Sequence, residues 1–438
     1  MPMLLVRAFL GPFFSPWFRT RCAALALLLT TALGACGGGA AEAKVSQPRS
    51  GLPACGAGPV CQFHAGQTAC DSASGRVLDV GPGKAYAAPS AAAAVARAGD
   101  VVRIAAGDYR GDVAIWSASH LTICGIGGRA RLFADGRSAG GKAIWVVSGA
   151  NTTIDSIAFH NAAVPDKNGA GIRAEHRSGD LRIVNSGFYD NENGILTAAG
   201  PVSLTIERSE FARSVVAGGL GHNLYVGRID RLTVTGSHFH EATVGHNLKS
   251  RALESLIENS YFMDGPNGRS SYLADFSNGG RVTLRGNLMH KGPKAENRTV
   301  IAYGAEGLAS GATHTLTLSH NTVVLTRPNS TFIRVPSATS SVRLVANLLA
   351  SPDNAELLSG GFALTSVVQQ DNFRTTANQF PLADRVDAPG FWPLLGLIAS
   401  LALAAPTDPA FLRDSPQPHA LRTLAGSARW VGALQSAP

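Results

Sequence analysis

The chain has 438 residues, of which 16% are charged and 7% aromatic, and it contains 49 Gly and 23 Pro. This mixture excludes a coiled coil, a collagen and a highly charged disordered chain, and it favours many short strands joined by tight turns. The net charge of +8 includes three Arg within the first 35 residues, which hold no acid, so the rest carries a surplus of five. A surplus that small, without a basic run interleaved with aromatics, predicts no nucleic-acid partner.

Residues 1–35 have the layout of a secretory signal peptide. Basic residues up to Arg21 precede an apolar stretch, residues 22–33, that is too short to span a bilayer. The following Leu-Gly-Ala-Cys, ending at Cys36, resembles the bacterial lipoprotein box, in which the Cys is lipidated. The resemblance implies a cell-envelope protein anchored by lipid at Cys36, at the outer membrane because no Asp follows. An ordinary small-residue cleavage site is the alternative.

Residues 36–79 are interpreted as a Gly-rich tether and a Cys-containing segment that leads into the fold. Export would permit disulfides. At least one disulfide is therefore expected among the remaining cysteines, whose pairing the sequence does not decide: Cys55, Cys61, Cys70 and Cys124. A metal site at Cys61 and His64 is the rival interpretation, but no Cys-x-x-Cys pair accompanies them.

Beyond this segment, an Ala-rich and helix-prone stretch at residues 89–98 precedes the first strand-like sequence, residues 99–104. From about residue 151 to residue 350, units of about 24 residues then repeat two short apolar strands. The first series alternates and mostly ends in Asn, Gly or Ser: 154–159, 181–186, 204–209, 232–237, 282–287 and 316–321. The second series comprises 171–174, 194–197, 223–226, 247–250, 272–275, 300–303 and 332–335. A large apolar residue also recurs, at Phe159, Phe188, Phe211, Phe239, Phe262 and Met289.

A single unit cannot bury its apolar face alone, so stacking of units into a solenoid is predicted. Over residues 80–380 the pattern resembles the right-handed parallel β-helix proteins, the pectate-lyase-like superfamily. This resemblance implies an all-β, single-stranded right-handed parallel β-helix, with the Ala-rich stretch as N-terminal cap and residues 381–438 as an irregular C-terminal cap. The apolar run 391–405 is short and contains Pro393, so it is interpreted as part of that cap and not as a membrane span. Leucine-rich repeats fit less well, because the units lack a helical segment.

Alternation within the second series predicts which side chains point inward: Ile172, Ile195, Leu224, Leu248, Leu273, Ile301 and Ile333. Their neighbours should form an outward patch on adjacent coils: Arg173, Glu175, Asn223, Tyr225, Asn247, Lys249, Arg251, Tyr272 and Arg334. His222 and His246 should occupy the same position of consecutive coils, because both lie in a Gly-His-Asn-Leu repeat. Asp275 and Tyr303 fall on inward positions, where a carboxylate is costly unless it is paired. Either the predicted register slips there, or these residues belong to a polar network near the patch.

The patch has the residue types that β-elimination on a uronic-acid polymer needs: cations or amides for the C6 carboxylate, a base for the C5 proton and an acid for the leaving oxygen. Lys249, Arg251 and the Asn pair can neutralise the C6 carboxylate. Tyr225 or Tyr272 can donate a proton to the leaving oxygen. Lys249 is favoured as base, since the neighbouring Arg251 should lower its pKa; in lyases of the resembled superfamily a Lys or Arg often has this role. The imidazoles His246 and His222 are the other candidates. Substrate binding is predicted at Asn223, Asn247, Arg173, Glu175 and Arg334.

Other functions stay open on the sequence alone. A uronate C5-epimerase needs the same steps except expulsion of the leaving group. A glycoside hydrolase needs two or three close Asp residues, and no Asp pair in a strand is found. A non-catalytic polysaccharide-binding lipoprotein is the third alternative. Asn223 and Asn247 can also form a purely structural ladder. Lys249 and Arg251 can also belong to a solvated basic surface without a site role.

No cofactor is expected, and the chain is predicted to act as a monomer on an acidic polysaccharide. Calcium would need clustered outward acids, which are scarce, so the segment 190–193 (Asp-Asn-Glu-Asn) is only a fallback site. His238 and His240, with His222 and His246, suggest a transition metal. The predicted faces of these residues differ, however, and no carboxylate spacing completes a ligand set, so no metal site is expected there.

Overall fold

The computed structural model of the protein describes residues 67–216, 221–387, 390–391, 393–394, 402–407 and 428–434. In this part of the chain the backbone winds through about 11 coils of a parallel β-solenoid with very little helix. The all-β parallel solenoid predicted from the sequence is therefore confirmed. Cys36, Cys55 and Cys61 lie outside the described residues. Within the described ranges, no helix has the length and apolar character needed to cross a membrane.

The described strands, in chain order, are β1 (Val77–Val80), β2 (Val101–Arg110), β3 (Ala114–Trp116), β4 (Thr122–Phe133), β5 (Ala143–Val147), β6 (Thr152–Asp155), β7 (Ile157–His160), β8 (Ala170–Ala174), β9 (Asp180–Val184), β10 (Gly187–Tyr189), β11 (Asn193–Thr197), β12 (Gly200–Glu207), β13 (Glu210–Ala212), β14 (His222–Val226), β15 (Ile229–Thr235), β16 (His238–His240), β17 (Leu248–Ser250), β18 (Glu254–Glu258), β19 (Tyr261–Met263), β20 (Ala274–Phe276), β21 (Arg281–Arg285), β22 (Leu288–Lys291), β23 (Thr299–Tyr303), β24 (Thr315–Ser319), β25 (Thr322–Leu325), β26 (Thr331–Arg334), β27 (Ser341–Val345), β28 (Leu348–Ser351), β29 (Glu356–Ser359), β30 (Val368–Gln370), β31 (Phe373–Thr376), β32 (Ala402–Thr407) and β33 (Ala428–Trp430).

These strands form three faces. Face A contains β1, β2, β4, β6, β9, β12, β15, β18, β21, β24, β27 and β30. Face B contains the second halves of β2 and β4, then β7, β10, β13, β16, β19, β22, β25, β28 and β31. Face C contains β3, β5, β8, β11, β14, β17, β20, β23, β26 and β29.

The interior is filled by apolar ladders from all three faces. The seven side chains predicted to point inward from the second series are buried in one core cluster. Face B adds the predicted aromatic ladder: consecutive rings from Phe159 to Phe262 lie nearly parallel, with centroids 4.5–5.0 Å apart. Met289 continues it in register. Each coil thus buries its apolar face only against its neighbours, as the repeat predicted.

The corner between faces A and B explains the Asn, Gly and Ser residues that end the first series. One residue per coil adopts a left-handed backbone there, as at Asn185 (φ 48°) and Gly236 (φ 59°), which Gly and Asn tolerate best. From Asn185 onward, the residue after it is a Ser or Asn whose side chain bonds to a neighbouring coil, as where the Ser186 N–H donates to Ser209 Oγ at 3.1 Å. Asn287 Nδ2 donates to Asn321 Oδ1 at 3.0 Å, and Asn321 Nδ2 donates to Asn347 Oδ1 at the same distance. These buried amides tie successive turns together.

The first coils are closed by a short helix and a disulfide. Helix α1 (Pro89–Ala93) starts with Pro at its N-terminus, is shorter than the predicted stretch, and buries Ala92 completely against the core. Cys70 forms a disulfide with Cys124, which confirms the expectation of at least one such bond. Cys70 belongs to a single 3₁₀ turn (Ala69–Asp71), whose Ala69 N–H donates to the Asp155 carboxylate at 2.8 Å.

The described part of the predicted C-terminal cap packs on the outer surface of face B. Two further 3₁₀ turns precede it, Leu364–Ser366 and Ala377–Gln379. Phe391, Val431, Ala433 and Leu434 join a second apolar cluster with outward side chains of face B, including Tyr261 and Leu288. The strands β32 and β33 pair antiparallel. Phe391, the first residue of the apolar run 391–405, is thus packed against the solenoid, and the cap formed by residues 381–438 stays a prediction.

Candidate functional site

One column of outward side chains on face C carries most of the predicted patch. In strand register, the equivalent positions of successive coils are Val146, Arg173, Leu196, Tyr225, Lys249, Asp275, Ala302 and Arg334. The prediction that Arg173, Tyr225, Lys249 and Arg334 share one outward position is therefore confirmed. Neighbouring coils lie about 4.8 Å apart, so adjacent members of this column can touch.

Asp275 is in this column, so the register slips at this residue, which was one of the two explanations that the sequence left open for its inward position. Leu248 pairs with Ala274, so Lys249 pairs with Asp275, one residue later than strict repetition of the motif assumed. Tyr272 consequently lies before the strand and outside the column. Tyr303 does point inward as predicted: it is fully buried, and its hydroxyl donates to the Gly280 carbonyl at 2.6 Å.

Lys249 and Arg251 are bridged by a carboxylate that the sequence had not singled out. Lys249 Nζ lies 2.6 Å from Glu306 Oε1, and Arg251 Nη2 lies 2.6 Å from Glu306 Oε2. Arg251 also donates from Nη1 to Asn278 Oδ1 at 2.6 Å and from Nε to the Tyr225 hydroxyl at 3.3 Å. The Glu306 side chain is 42% exposed, whereas that of Lys249 is 11% exposed. A solvent-accessible carboxylate thus forms ion pairs with both cations of the site.

Asp275 lies on the other side of Lys249 and is almost completely buried. Its Oδ2 is 3.9 Å from Lys249 Nζ and 3.4 Å from His246 Nε2, and it accepts a hydrogen bond from the Ser277 hydroxyl at 2.7 Å. Burial raises the pKa of Asp275 to about 6, against the lowering effects of the Ser277 hydrogen bond and the Lys249 charge. The sequence argument about the Lys249 environment, which considered only Arg251, had therefore missed two carboxylates.

His222, His246 and Tyr272 form a stack beside the column. The two imidazoles lie 4.8 Å apart, as predicted for equal positions of consecutive coils, and Tyr272 stacks on His246 at 5.0 Å. Burial lowers the pKa of His222 to about 3 and that of His246 well below its ordinary value. Nδ1 of each ring accepts a backbone N–H, from His246 and Tyr272 respectively. A neutral His246 must then carry its proton on Nε2, which faces Asp275, so it acts as a donor to that carboxylate.

The predicted outward orientation of Asn223 and Asn247, and with it their substrate-binding role, is wrong. Their side chains are 1% and 0% exposed. Asn223 Nδ2 donates to Asn247 Oδ1 at 2.7 Å and to the His240 carbonyl at 2.8 Å, and its Oδ1 accepts from the Ser214 N–H at 3.0 Å. Strict alternation fails here because both residues lie at the corner where the chain enters face C. They form the structural ladder that was the alternative interpretation.

A groove of about 380 Å³ extends from Tyr225 towards the earlier coils. Its lining includes Lys142, Asp166, Asn168, Arg173 and Tyr225. At its edge, Glu175 pairs with Lys142 at 2.6 Å and with Arg173 at 3.4 Å. Arg173 and Glu175 thus lie together as predicted, and they are separated from the Lys249 group by the Leu196 and Tyr225 coils. Arg334 lies two coils beyond Asp275 in the other direction.

The fallback calcium segment 190–193 is occupied by structural contacts. Asp190 pairs with Arg213 at 2.9 Å, Asn191 accepts the Ala162 N–H, and Glu192 accepts the N–H groups of residues 164 and 169. These contacts fix turns between coils, so the side chains of Asp190, Asn191 and Glu192 already have partners within the protein.

Comparison with known proteins bears on the fold alone. No protein-family model and no curated protein sequence matches the chain. Among solved structures, the pectate lyase Pel9A is similar at 14% sequence identity, with 83% of this chain and 97% of that chain covered and a TM-score of 0.54. An alginate lyase from Paenibacillus sp. str. FPU-7 is 15% identical over 68% of this chain and 99% of that chain, with a TM-score of 0.47. The solenoid is thus a fold that is also found in a polysaccharide lyase.

Proposed function

We propose that this protein is a polysaccharide lyase that cleaves a uronic-acid polymer by β-elimination at the Lys249–Arg251 group of face C. The observation that supports the proposal is the Glu306 carboxylate, which lies 2.6 Å from both Lys249 and Arg251. A uronate carboxylate has the same charge and shape, so it can replace Glu306 on Arg251. Neutralising the C6 carboxylate acidifies the C5 proton, which is the difficult step of the reaction.

Lys249 is the proposed base for the C5 proton. It lies between the carboxylate position marked by Glu306 and the buried Asp275, whose Oδ2 is 3.9 Å from Nζ. Asp275 is fixed in place by Ser277 and His246. We propose that it accepts a proton from the Lys249 ammonium group, which leaves a neutral amine as base, and that it returns the proton later. A base this close to the bound carboxylate is also close to C5, because the two carbons are bonded to each other.

Tyr225 is the proposed acid for the leaving glycosidic oxygen. Its oxygen accepts from Arg251 Nε, so the phenol proton points elsewhere and is available to the substrate. The Tyr225 ring also forms part of the groove that contains Lys142 and Arg173. We propose that neighbouring acidic sugars lie in this groove, and that the enzyme acts as an envelope protein anchored through Cys36.

The test is to incubate the purified protein with a panel of uronic-acid polymers and to follow absorbance of the unsaturated uronate product. Absorbance should rise with at least one polymer, and Lys249→Ala should abolish the rise while circular dichroism stays unchanged. The matched control is Lys294→Ala, an exposed lysine whose Nζ contacts Asn267. Solvent deuterium at C5 without absorbance would instead indicate an epimerase. New reducing ends without absorbance would indicate a hydrolase, and binding without turnover a non-catalytic protein.

A further inference from the structure

A second group of ionisable side chains lies on the outer surface of face B, away from the Lys249 column. Glu210 of β13 pairs in register with His238 of β16, and His240 lies two residues further along the same strand. Because Phe239 belongs to the interior ladder, His238 and His240 both point to the outside of face B. All three residues are nevertheless buried, with exposures of 4%, 0% and 4%.

The three side chains converge on one point. His240 Nε2 lies 3.0 Å from Glu210 Oε1, and the two imidazole rings have centroids 4.4 Å apart. One nitrogen or oxygen from each residue lies within 4.8 Å of the other two. Small side-chain rotations bring such atoms to the 2.0–2.2 Å that zinc needs to imidazole nitrogen and carboxylate oxygen.

A second layer of hydrogen bonds orients these groups. Glu241 Oε2 lies 3.0 Å from His240 Nδ1, the nitrogen that does not face Glu210. The Tyr189 hydroxyl donates to Glu210 Oε2 at 2.5 Å and accepts from Arg129 Nη1 at 3.1 Å. A carboxylate on the far nitrogen of a histidine, and a donor on the far oxygen of a carboxylate, are the arrangement that surrounds metal ligands in proteins.

We propose that Glu210, His238 and His240 bind a divalent transition metal, with zinc favoured by two imidazoles and a carboxylate. The sequence-based expectation of no metal compared these histidines with His222 and His246, which lie on face C. The carboxylate that completes the set is supplied by the preceding coil, so it is not visible in local spacing.

The site is structural rather than catalytic in this proposal. Its near-complete burial keeps a polymer away from the ion, and the ring of His238 contacts Tyr261, whose ring contacts Phe391 of the C-terminal segment. The ion therefore links two coils and stabilises the surface on which the C-terminal segment packs. Such an ion adds its binding free energy to the stability of the folded state.

The test uses untagged full-length protein that is stripped with a chelator, reloaded with Zn²⁺ and dialysed. Elemental analysis should find one zinc per chain, and the thermal midpoint should rise on reloading. Glu241→Gln should weaken zinc affinity by about 10- to 100-fold, as expected for a second-layer carboxylate. His238→Ala and Glu210→Gln should abolish stoichiometric binding. His290→Gln is the matched control, because His290 is a buried histidine two coils beyond His240 in the same column and bonds to Thr326; it should retain zinc.

Wild-type protein that holds no stoichiometric zinc would overturn the proposal, and so would ligand variants that still hold it. If the ligand variants do not fold, Co²⁺ loading of the wild type decides the question. Visible absorption bands typical of histidine-bound Co²⁺ support the site, and their absence contradicts it. Neither result depends on lyase activity.

Discussion

The outer surfaces of faces B and C carry comparable groups of histidines and carboxylates in different settings. On face C, Lys249 and Arg251 meet Glu306, which is 42% exposed, beside a groove of about 380 Å³. On face B, Glu210, His238 and His240 are at most 4% exposed, and an outward neighbour, Tyr261, packs against the C-terminal segment. Access of solvent on face C thus favours the proposed substrate chemistry, and exclusion of solvent on face B favours the proposed stabilising role.

The strongest test of this contrast is Lys249→Ala compared with His238→Ala. Loss of the base should lower kcat/KM by about 10³-fold, within the range for general base catalysis. It should lower the unfolding midpoint less than His238→Ala does, because Asp275 keeps its bond to Ser277 and Glu306 keeps Arg251. His238→Ala should instead lower the unfolding midpoint and leave kcat/KM of the folded protein unchanged. Steady-state kinetics with denaturant titrations of both variants provide the check. Equal activity losses would contradict the division between the two faces.

Lys291→Met should produce the next largest effect, on stability. Lys291 is fully buried on face B, where its Nζ donates to the carbonyls of Ser270 and Ser271 and lies 3.7 Å from Asp264. Burial lowers the pKa of Lys291 to about 8, but removing the amine would leave the Asp264 carboxylate buried without its partner. The free energy of unfolding should fall by about 3–5 kcal/mol. The exposed control Lys294→Met should change it by less than about 0.5 kcal/mol.

Asp275→Asn should stabilise the fold at high pH and should also change the pH dependence of activity on face C. The folded-state pKa of Asp275, about 6, lies above its ordinary value of 3.8, so ionisation destabilises the fold as pH rises through this interval. The variant should therefore gain about 3 kcal/mol of stability at pH 8 and none at pH 3. Activity of the wild type should fall as pH drops through about 6, because the carboxylate is lost. Urea titrations and pH–rate profiles test both expectations; an acid limb that persists in the variant would assign it to another group.

Glu306→Gln should have the smallest effect. The exposed ion pair that Glu306 makes is worth about 1 kcal/mol, so removing the competing carboxylate should lower KM by about fivefold with little change in kcat. Initial rates over a range of polymer concentrations measure this. A rise in KM would show that Glu306 helps to bind substrate and does not occupy its place.

The interior of the solenoid could be predicted from the sequence because its causes are local. A two-residue alternation and a recurring Phe are enough to specify inward ladders, and residues such as Phe188 and Leu224 lie where the pattern predicts. The outward position of Lys249 beside Tyr225 follows from the same periodicity. Each of these depends only on the repeat length and on stacking of coils.

The polar neighbours could not be predicted, because they depend on departures from the repeat. Asp275 reaches Lys249 through a one-residue shift in register, and Asn223 turns inward at a corner where alternation ends. Glu306 lies in a Gly-rich loop after β23, where the strand pattern is interrupted. This interruption was the only local sign in the sequence that the loop could contribute to the site. Glu210 meets His240 one coil later, at a distance that depends on the length of every intervening turn.

The disulfide between Cys70 and Cys124 affects how the solenoid unfolds. A stack in which each coil touches only its neighbours loses structure most easily from an end, where one neighbour is missing. The covalent bond fastens the segment before β1 to β4, two strands further into face A. Fraying at this end must therefore disrupt several coils together, so we expect proteases to cut there slowly until a reductant is added.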